Sequence, residues 1–268
     1  MEKQSLKPHI LCFDIDGTIL NDKDGTISKE TKVALRKAKE NGHFTFINTG
    51  RSYAELDPGL MDIGFDGAIC GCGTYIHYQG ETILAKRIEG EAAQELLKKI
   101  KAYRIDALLE GEDYFYISKD TTNRKLIAVK DYFGPIVNKN FRFWEEEEPV
   151  FQKMSIMLNE RSDIEGFISA CEKDFDFILR SKGFYEVVPK GYSKGTGIAY
   201  MMEHLDVEKK HTMAIGDSTN DLAMLDYAHI SIAMGNSQNE VKERVSFVTK
   251  TVEEEGVAYA LKHFGFIG

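Results

Sequence analysis

The feature that most constrains the fold is a short apolar run, residues 9–13, that ends directly in two aspartates, Asp14 and Asp16. A run of this length followed by a polar turn is typical of a buried strand in a parallel sheet. A second apolar run, residues 43–47, leads in the same way to Thr49. The sequence therefore predicts that both strands open into polar turns at their carboxyl ends.

Helical patterns alternate with these strands. Ser28 is suited to cap a helix that continues to about residue 41, where Gly42 ends it. The same alternation resumes after Gly191. Such a pattern predicts an α/β fold with an open, Rossmann-like parallel sheet. The remaining predicted core elements are a helix at 53–61, a strand at 67–70, a helix at 193–205, a strand at 211–215, a helix at 219–227 and a strand at 229–233.

Residues 83–189 follow a different pattern. Short paired strands at 107–110 and 114–118, with further strands near 151–158 and 175–180, surround a helix near 162–173. This pattern predicts an inserted α+β domain. We therefore predict a discontinuous catalytic core, residues 1–82 and 190–268, and a cap domain, residues 83–189, joined by two short connections.

Composition narrows the expected environment and partners. The chain has 268 residues, 43% of them hydrophobic, which is enough for a sizeable core. Four cysteines, with Cys12 inside an apolar run, favour a reducing compartment and the cytoplasm. The apolar run before Asp14 is too short for a signal peptide or membrane span. A net charge of -9 disfavours nonspecific nucleic-acid binding and requires local positive charge at any phosphate site.

Polar residues at the ends of the predicted core elements supply the groups that phosphoryl transfer needs. Strand ends of an open α/β sheet converge on one crevice. Asp14 fits a nucleophile, and Asp16 fits the acid that protonates the leaving oxygen and then activates water. Mg²⁺ prefers oxygen ligands, which Asp14, the Asp16 carbonyl and Asp217 would supply. The full set is Asp14, Asp16, Thr49, Lys194, Asp217, Asn220 and Asp221.

Four ordered segments resemble the motifs of the haloacid dehalogenase superfamily, and most closely its Cof-type branch. They are Asp14-Ile15-Asp16-Gly17-Thr18, Thr49-Gly50-Arg51, Lys194-Gly195 and Gly216-Asp217-Ser218-Thr219-Asn220-Asp221. The resemblance covers nearly the whole chain and implies a phosphatase with a large α/β cap and an aspartyl-phosphate intermediate. It also implies that Thr49 hydrogen-bonds the phosphoryl oxygens and that Lys194 neutralises nucleophile and phosphate. Asn220 and Asp221 would support the metal site.

Some positions leave alternatives open. Gly50, Arg51 and Asn220 are further candidates for substrate binding, and an ion pair with a nearby carboxylate is an equal alternative for Arg51. Two positions depart from the pattern of the branch. Residues 72–74 are Cys-Gly-Thr where Asn-Gly-Ala is usual, and Ser218 stands where glycine is frequent. We expect the first change to alter contacts near the cap and the second to leave every ligand in place.

Other chemistries fit the residues less well. An EF-hand loop at residues 22–28 would put Leu20 and Thr31 at ligand positions that neither can fill. Cys70 and Cys72 lack the spacing of a metal or redox pair. Four histidines begin predicted strands and are interpreted as edge residues rather than ligands: His9, His43, His211 and His229.

The predicted function is hydrolysis of a small phosphorylated metabolite, and sugar phosphates, nucleotides and cofactor phosphates are equal candidates. One alternative is a phosphomutase or phosphotransferase that passes the phosphate to a second hydroxyl. Another is a binding protein that keeps the metal site without turnover, although the presence of both Asp14 and Asp16 favours an enzyme. No pattern identifies the cap residues that select the substrate, or the oligomeric state.

Overall fold

The computed structural model describes residues 7–132 and 141–268. Contacts divide these residues into two units. The first unit runs to Gly50 and includes Pro58–Ile83 and Ser193–Gly268, and the second consists of Arg51–Asp57 and Leu84–Tyr192. The division into catalytic core and cap stays a prediction. The segment Arg51–Asp57, which that division assigns to the core, groups with the second unit.

The larger sheet is mainly parallel. Strands are numbered along the whole chain, and those of this sheet are β1 (Ile10–Phe13), β2 (Phe44–Asn48), β3 (Gly67–Cys70), β4 (Tyr75–Tyr78), β5 (Glu81–Ala85), β12 (Thr212–Gly216), β13 (Ile230–Ala233) and β14 (Phe247–Val248). Within the described residues their order is β14-β13-β12-β1-β2-β3-β4-β5. Pairing is parallel from β14 to β3, and β1 and β12 are buried along their whole length. The predicted α/β class with a parallel sheet is confirmed.

Two strands at one edge of this sheet were not predicted. β4 runs antiparallel to β3, and β5 lies beside β4. The reversal is made by a tight turn at Gly71–Gly73, in which Cys72 adopts a left-handed conformation with φ of 55°. Both strands lack the continuous apolar run that identified β1, β2 and β3, because each of them is partly exposed to solvent.

Helices connect the strands of both units. They are α1 (Lys29–Glu40), α2 (Pro58–Met61), α3 (Gly90–Ala102), α4 (Arg124–Tyr132), α5 (Ile164–Cys171), α6 (Lys194–Leu205), α7 (Leu222–Tyr227), α8 (Asn239–Lys242) and α9 (Gly256–His263). Helix α1 begins where predicted, because the Ser28 hydroxyl accepts the Thr31 backbone N–H at 3.0 Å. No helix in the described part of the chain is long and apolar enough to cross a membrane.

The helix predicted at residues 53–61 is wrong as a single element. A 3₁₀ turn at Tyr53–Glu55 ends at Leu56, which is extended, and α2 starts only at Pro58. Proline has no backbone N–H and disfavours the helical conformation of the residue before it. Pro58 therefore separates the two pieces.

The second unit contains a six-stranded sheet among its described residues. Its strands are β6 (Asp106–Glu110), β7 (Phe115–Ile117), β8 (Phe141–Phe143), β9 (Lys153–Met157), β10 (Phe175–Ser181) and β11 (Phe184–Pro189), in the order β10-β11-β9-β6-β7-β8. All neighbours pair antiparallel except β7 and β8. One face packs on α3 and α5 through residues such as Leu96, Met154 and Phe167. The predicted α+β character of the insert is confirmed.

The opposite face of this sheet carries a buried charged cluster. The Lys153 ammonium lies 2.9 Å from Glu110 and 2.8 Å from Glu186, and Ser155 donates to Glu110 at 2.6 Å. Glu55, from the first segment of the unit, is also buried. Burial and the charge of Glu110 raise the pKa of Glu55 to about 8, against the opposing effect of Lys153. Lys153 is therefore the central positive charge of this cluster.

Two of the histidines interpreted as edge residues are buried. His9 is 8% exposed and His43 is 3% exposed, and both rings contact Phe266 edge-on. The His43 Nδ1 atom accepts the His9 backbone N–H at 3.2 Å. Burial and the neighbouring His9 lower the pKa of His43 to about 4, so this ring is neutral at neutral pH. Phe266, near the C-terminus, covers the starts of these strands. The strand pattern alone could not assign it this role.

We predict that Lys153→Ala lowers the free energy of unfolding by about 3–5 kcal/mol, because it leaves buried carboxylates without their central cation. Urea unfolding followed by circular dichroism measures this loss. Lys98→Ala is the control, since Lys98 pairs with Glu95 on an exposed helix surface of the same unit, and it should change stability far less. Equal losses for the two variants would contradict the role of the buried cluster.

Candidate active site

Three neighbouring strands of the larger sheet bring the predicted catalytic residues together. Asp14 directly follows β1, Thr49 follows β2, and Asp217 follows β12. β1 pairs in parallel with both other strands, so their carboxyl ends meet at one edge. Asp14 is 4% exposed, and its backbone N–H donates to Ile215 O at 3.0 Å. The register of the sheet thus fixes the Asp14 backbone beside β12.

The turn after β1 wraps closely around Asp217. Gly17 has a left-handed φ of 74°, and a Cβ atom there would lie 2.6 Å from the Asp217 carboxylate. The Thr18 hydroxyl donates to Asp217 Oδ1 at 3.4 Å, and the Asn236 side chain donates to Gly17 O at 2.8 Å. Asp16 is half-buried in this turn. Asn236 was not predicted, because no local pattern separates it from an ordinary loop residue.

Lys194 is the first residue of α6, one residue after the predicted start at Ser193. The Ser193 hydroxyl caps this helix by accepting the Thr196 backbone N–H at 3.1 Å. The Lys194 ammonium is 1% exposed and donates to Asp14 Oδ1 at 2.6 Å and to Asp221 Oδ1 at 2.5 Å. The ammonium therefore connects the start of α6 to the ends of β1 and β12.

Asp221 is fully buried and holds the turn after β12. Its Oδ2 atom accepts the backbone N–H groups of Asp217 and Ser218, both at 3.0 Å, while Oδ1 accepts Lys194. A Cβ atom on Gly216 would collide with this carboxylate, at 2.6 Å from its Cγ. The resemblance implied that Asp221 supports the metal site. The contacts are those of a residue that orients Asp217 and Lys194.

The remaining predicted residues lie in different surroundings. Thr49 is 1% exposed, and its carbonyl accepts the Cys72 backbone N–H at 3.1 Å. Gly50 is half-buried at the end of the first unit's first segment, and Asn220 accepts a hydrogen bond from the Ser218 hydroxyl. Arg51 belongs to the second unit. The hydrogen bonds and the close carboxylates therefore join four of the predicted residues in the first unit, which are Asp14, Lys194, Asp217 and Asp221.

The cluster has more acid than base. Asp14, Asp217 and Asp221 each offer a carboxylate oxygen within 4.8 Å of the others. Burial, then the Asp221 charge, raises the pKa of Asp14 to about 7, and burial with the charges of Asp14 and Asp221 raises that of Asp217 to about 8. Burial alone lowers the pKa of Lys194, but its two carboxylate partners outweigh this effect and raise it, so Lys194 stays charged.

This donor set fits a divalent cation. Hard cations such as Mg²⁺ prefer oxygen ligands and often use only one or two carboxylates. Closely spaced buried carboxylates repel one another when ionised, and a bound divalent ion relieves that repulsion. Because Asp221 is already saturated by Lys194 and two N–H groups, Asp14 and Asp217 are the carboxylates best suited to such an ion.

The chain is similar to known proteins in sequence and in structure. The chain matches the model of haloacid dehalogenase-like hydrolases over residues 11–261. YkrA of Bacillus subtilis (strain 168) is 30% identical over 258 residues, covering 96% of this chain and 98% of that protein. YitU of the same organism, a 5-amino-6-(5-phospho-D-ribitylamino)uracil phosphatase, is 25% identical and covers 96% of this chain and 98% of its own. The structure of the HAD subclass IIB sugar phosphatase BT4131 has a TM-score of 0.81 at 27% identity, with 97% and 100% of the two chains covered.

We predict that Mg²⁺ stabilises the protein more at about pH 8.5 than at about pH 6. The pKa values of Asp14 and Asp217 lie above the ordinary 3.8, so the metal-free chain loses stability as the pH rises towards 8 and these groups ionise. An ion at ten times its Kd would then add about 1.4 kcal/mol, or roughly 3–5 °C in Tm. At the lower pH, Mg²⁺ must first displace the protons of Asp14 and Asp217, so it adds less stability.

Thermal unfolding with and without Mg²⁺ at both pH values measures this difference. Asp217→Asn is the matched control, because it keeps the side-chain shape but removes one ionised ligand. This variant should lose most of the Mg²⁺-dependent shift. A shift of equal size at both pH values, or in the variant, would contradict the assignment of the ion to Asp14 and Asp217.

Proposed function

The chain belongs to the haloacid dehalogenase-like hydrolases as a Cof-type phosphatase, and from this membership we propose that it uses Mg²⁺ and an aspartyl-phosphate on Asp14 to hydrolyse a small phosphorylated metabolite. The observation that carries the proposal is the double ion pair of Lys194. A buried ammonium holds one oxygen of Asp14 at 2.6 Å and is itself fixed by Asp221. The nucleophile is thereby oriented before substrate arrives.

In the first proposed step, the free oxygen of Asp14 attacks phosphorus. A new bond forms between that oxygen and phosphorus while the bond from phosphorus to the leaving oxygen breaks. Asp16 gives its proton to the leaving oxygen, so the product departs as a neutral alcohol. Lys194 and the Thr49 hydroxyl bind the phosphoryl oxygens and offset their negative charge.

In the second step, water replaces Asp14 on phosphorus. Asp16, now ionised, takes a proton from the attacking water, and the bond from Asp14 to phosphorus breaks to release inorganic phosphate. Asp14, the Asp16 carbonyl and Asp217 would hold Mg²⁺, with Asp221 and Asn220 supporting the turn that carries Asp217. The ion, when bound, supplies positive charge that neutralises the phosphoryl group.

The proposed substrates are small phosphate monoesters. YitU is named for a phosphorylated ribityl compound, and BT4131 is a sugar phosphatase, so both related proteins act on a phosphate attached to a polyhydroxylated chain or ring. This favours sugar and sugar-alcohol phosphates over aromatic phosphates for this chain. Gly50 and Arg51, which follow Thr49, are proposed to contribute to substrate binding. The proposed compartment is the cytoplasm, in keeping with four buried cysteines.

We predict that the protein releases inorganic phosphate from sugar phosphates in the presence of Mg²⁺, and that Asp14→Asn lowers kcat by on the order of 10³-fold or more. The amide cannot form the aspartyl-phosphate. Colorimetric phosphate detection across a panel of metabolites measures the rates, and chelation of Mg²⁺ should abolish them.

Asp24→Asn is the control, because Asp24 is an exposed loop carboxylate that accepts hydrogen bonds from Thr26. This variant should keep the wild-type rate. Equal turnover by wild type and Asp14→Asn would refute the nucleophile. Formation of an isomeric sugar phosphate in place of free phosphate would favour a phosphomutase.

A further inference from the structure

Asn48 is a fully buried polar residue to which the proposed mechanism gives no role. It is the last residue of β2, a strand that is otherwise mostly apolar, and it is 0% exposed. Its Nδ2 atom donates to the backbone carbonyl of Lys194 at 3.0 Å. The same side chain also lies beside the buried Cys12 thiol of β1. Asn48 therefore connects β2 to both β1 and α6.

Each contact of Asn48 is close in the chain to a proposed catalytic group. Cys12 lies two residues before Asp14, and Asn48 itself directly precedes Thr49. The second contact is with the backbone of Lys194. Through its place in the chain and these two contacts, Asn48 links the backbone segments that carry Asp14, Thr49 and Lys194.

The burial of Asn48 has an energetic cost that folding alone does not explain. Its Oδ1 atom is buried and has no hydrogen-bond partner among the residues that the structure describes. Leaving a buried acceptor without a partner is unfavourable, whereas an apolar side chain of the same size avoids this loss. The donor atom of Asn48, rather than its bulk, is therefore the feature that suits this position.

The first turn of α6 is closely packed on its other sides. A Cβ atom on Gly195 would lie 2.4 Å from Ala223 O, and one on Gly197 would lie 2.4 Å from Ile69 Cγ2. These contacts limit movement of the helix towards α7 and β3. The hydrogen bond from Asn48 adds a polar contact at the Lys194 carbonyl itself.

We propose that Asn48 is a positioning residue that fixes the start of α6, so that the Lys194 ammonium stays between Asp14 and Asp221. Its effect on rate rests on the proposed phosphatase function, whereas its effect on Lys194 does not. Asn48 touches neither the proposed substrate nor the ion. It acts through the backbone of Lys194.

The test compares Asn48→Leu, which keeps the side-chain volume but removes the donor, with Asn41→Leu. Asn41 is the matched control, because its Nδ2 atom also donates to a distant backbone carbonyl, Phe266 O, at 2.7 Å. Asn48→Ala is a second variant that introduces no steric conflict. The probe is the ammonium signal of Lys194 in ¹⁵N-lysine-labelled protein, assigned by its absence in Lys194→Arg.

In the wild type, the buried and doubly paired ammonium should exchange its protons slowly and give a sharp signal. We expect that signal to be lost or strongly broadened in both Asn48 variants and unchanged in Asn41→Leu. With a sugar phosphate as substrate, kcat should fall about tenfold in the Asn48 variants, less than the ~10²-fold that a 1 Å misplacement can cause. KM should change by less than about twofold.

An unchanged Lys194 signal in folded Asn48→Leu or Asn48→Ala would overturn the proposal, whatever the activity. An equal change in Asn41→Leu would also overturn it, because general destabilisation would then explain the result. Loss of the signal only in the Asn48 variants, in a protein without phosphatase activity, would support the positioning role while refuting the proposed function.

Discussion

The ion pairs of Lys194 with Asp14 and Asp221 are the constraint on which the rest of the site depends. The three residues are far apart in the chain, with 180 positions between the first pair and 27 between the second. A buried charge without a partner is strongly unfavourable, so each group requires the others. Together they fix the ends of β1 and β12 against the start of α6. Asp221 also accepts the backbone N–H of Asp217, so the same contacts hold Asp217 close to Asp14.

The excess of acid around Lys194 connects the fold to the proposed chemistry. Burial and mutual repulsion raise the pKa values of Asp14 and Asp217, so these groups hold their negative charge poorly without further positive charge. A divalent ion and a single ammonium together would balance the carboxylates. In a chain with a net charge of -9, this local positive charge would offset the repulsion between the protein and a phosphate group.

Sequence patterns predicted the central strands and the residues at their ends, because a short apolar run before a polar turn has one simple structural interpretation. The start of α6 was predicted to within one residue, at Ser193 instead of Lys194. The break at Pro58 was available in the sequence but was outweighed by the helical pattern around it. The strands β4 and β5 were missed because they lack a continuous apolar run.

Buried polar contacts account for the rest of what sequence alone could not provide. Asn48, Asn236 and Lys153 look like ordinary polar residues in the chain, and only the tertiary fold gives them their partners. Asp221 was predicted near the ion, but its contacts with two N–H groups and Lys194 depend on a turn geometry that no motif specifies. Residues that position the catalytic groups are thus harder to predict than the groups themselves.

The most direct test of the account is the location of a bound divalent ion. Anomalous diffraction from crystals grown with Mn²⁺, which replaces Mg²⁺ in oxygen-rich sites, would locate it. We predict one strong peak about 2.1–2.2 Å from carboxylate oxygens of Asp14 and Asp217 and from the Asp16 carbonyl, with Lys194 still bound to Asp14. A peak elsewhere in the protein, or an ion that leaves either carboxylate unbound, would contradict the central claim.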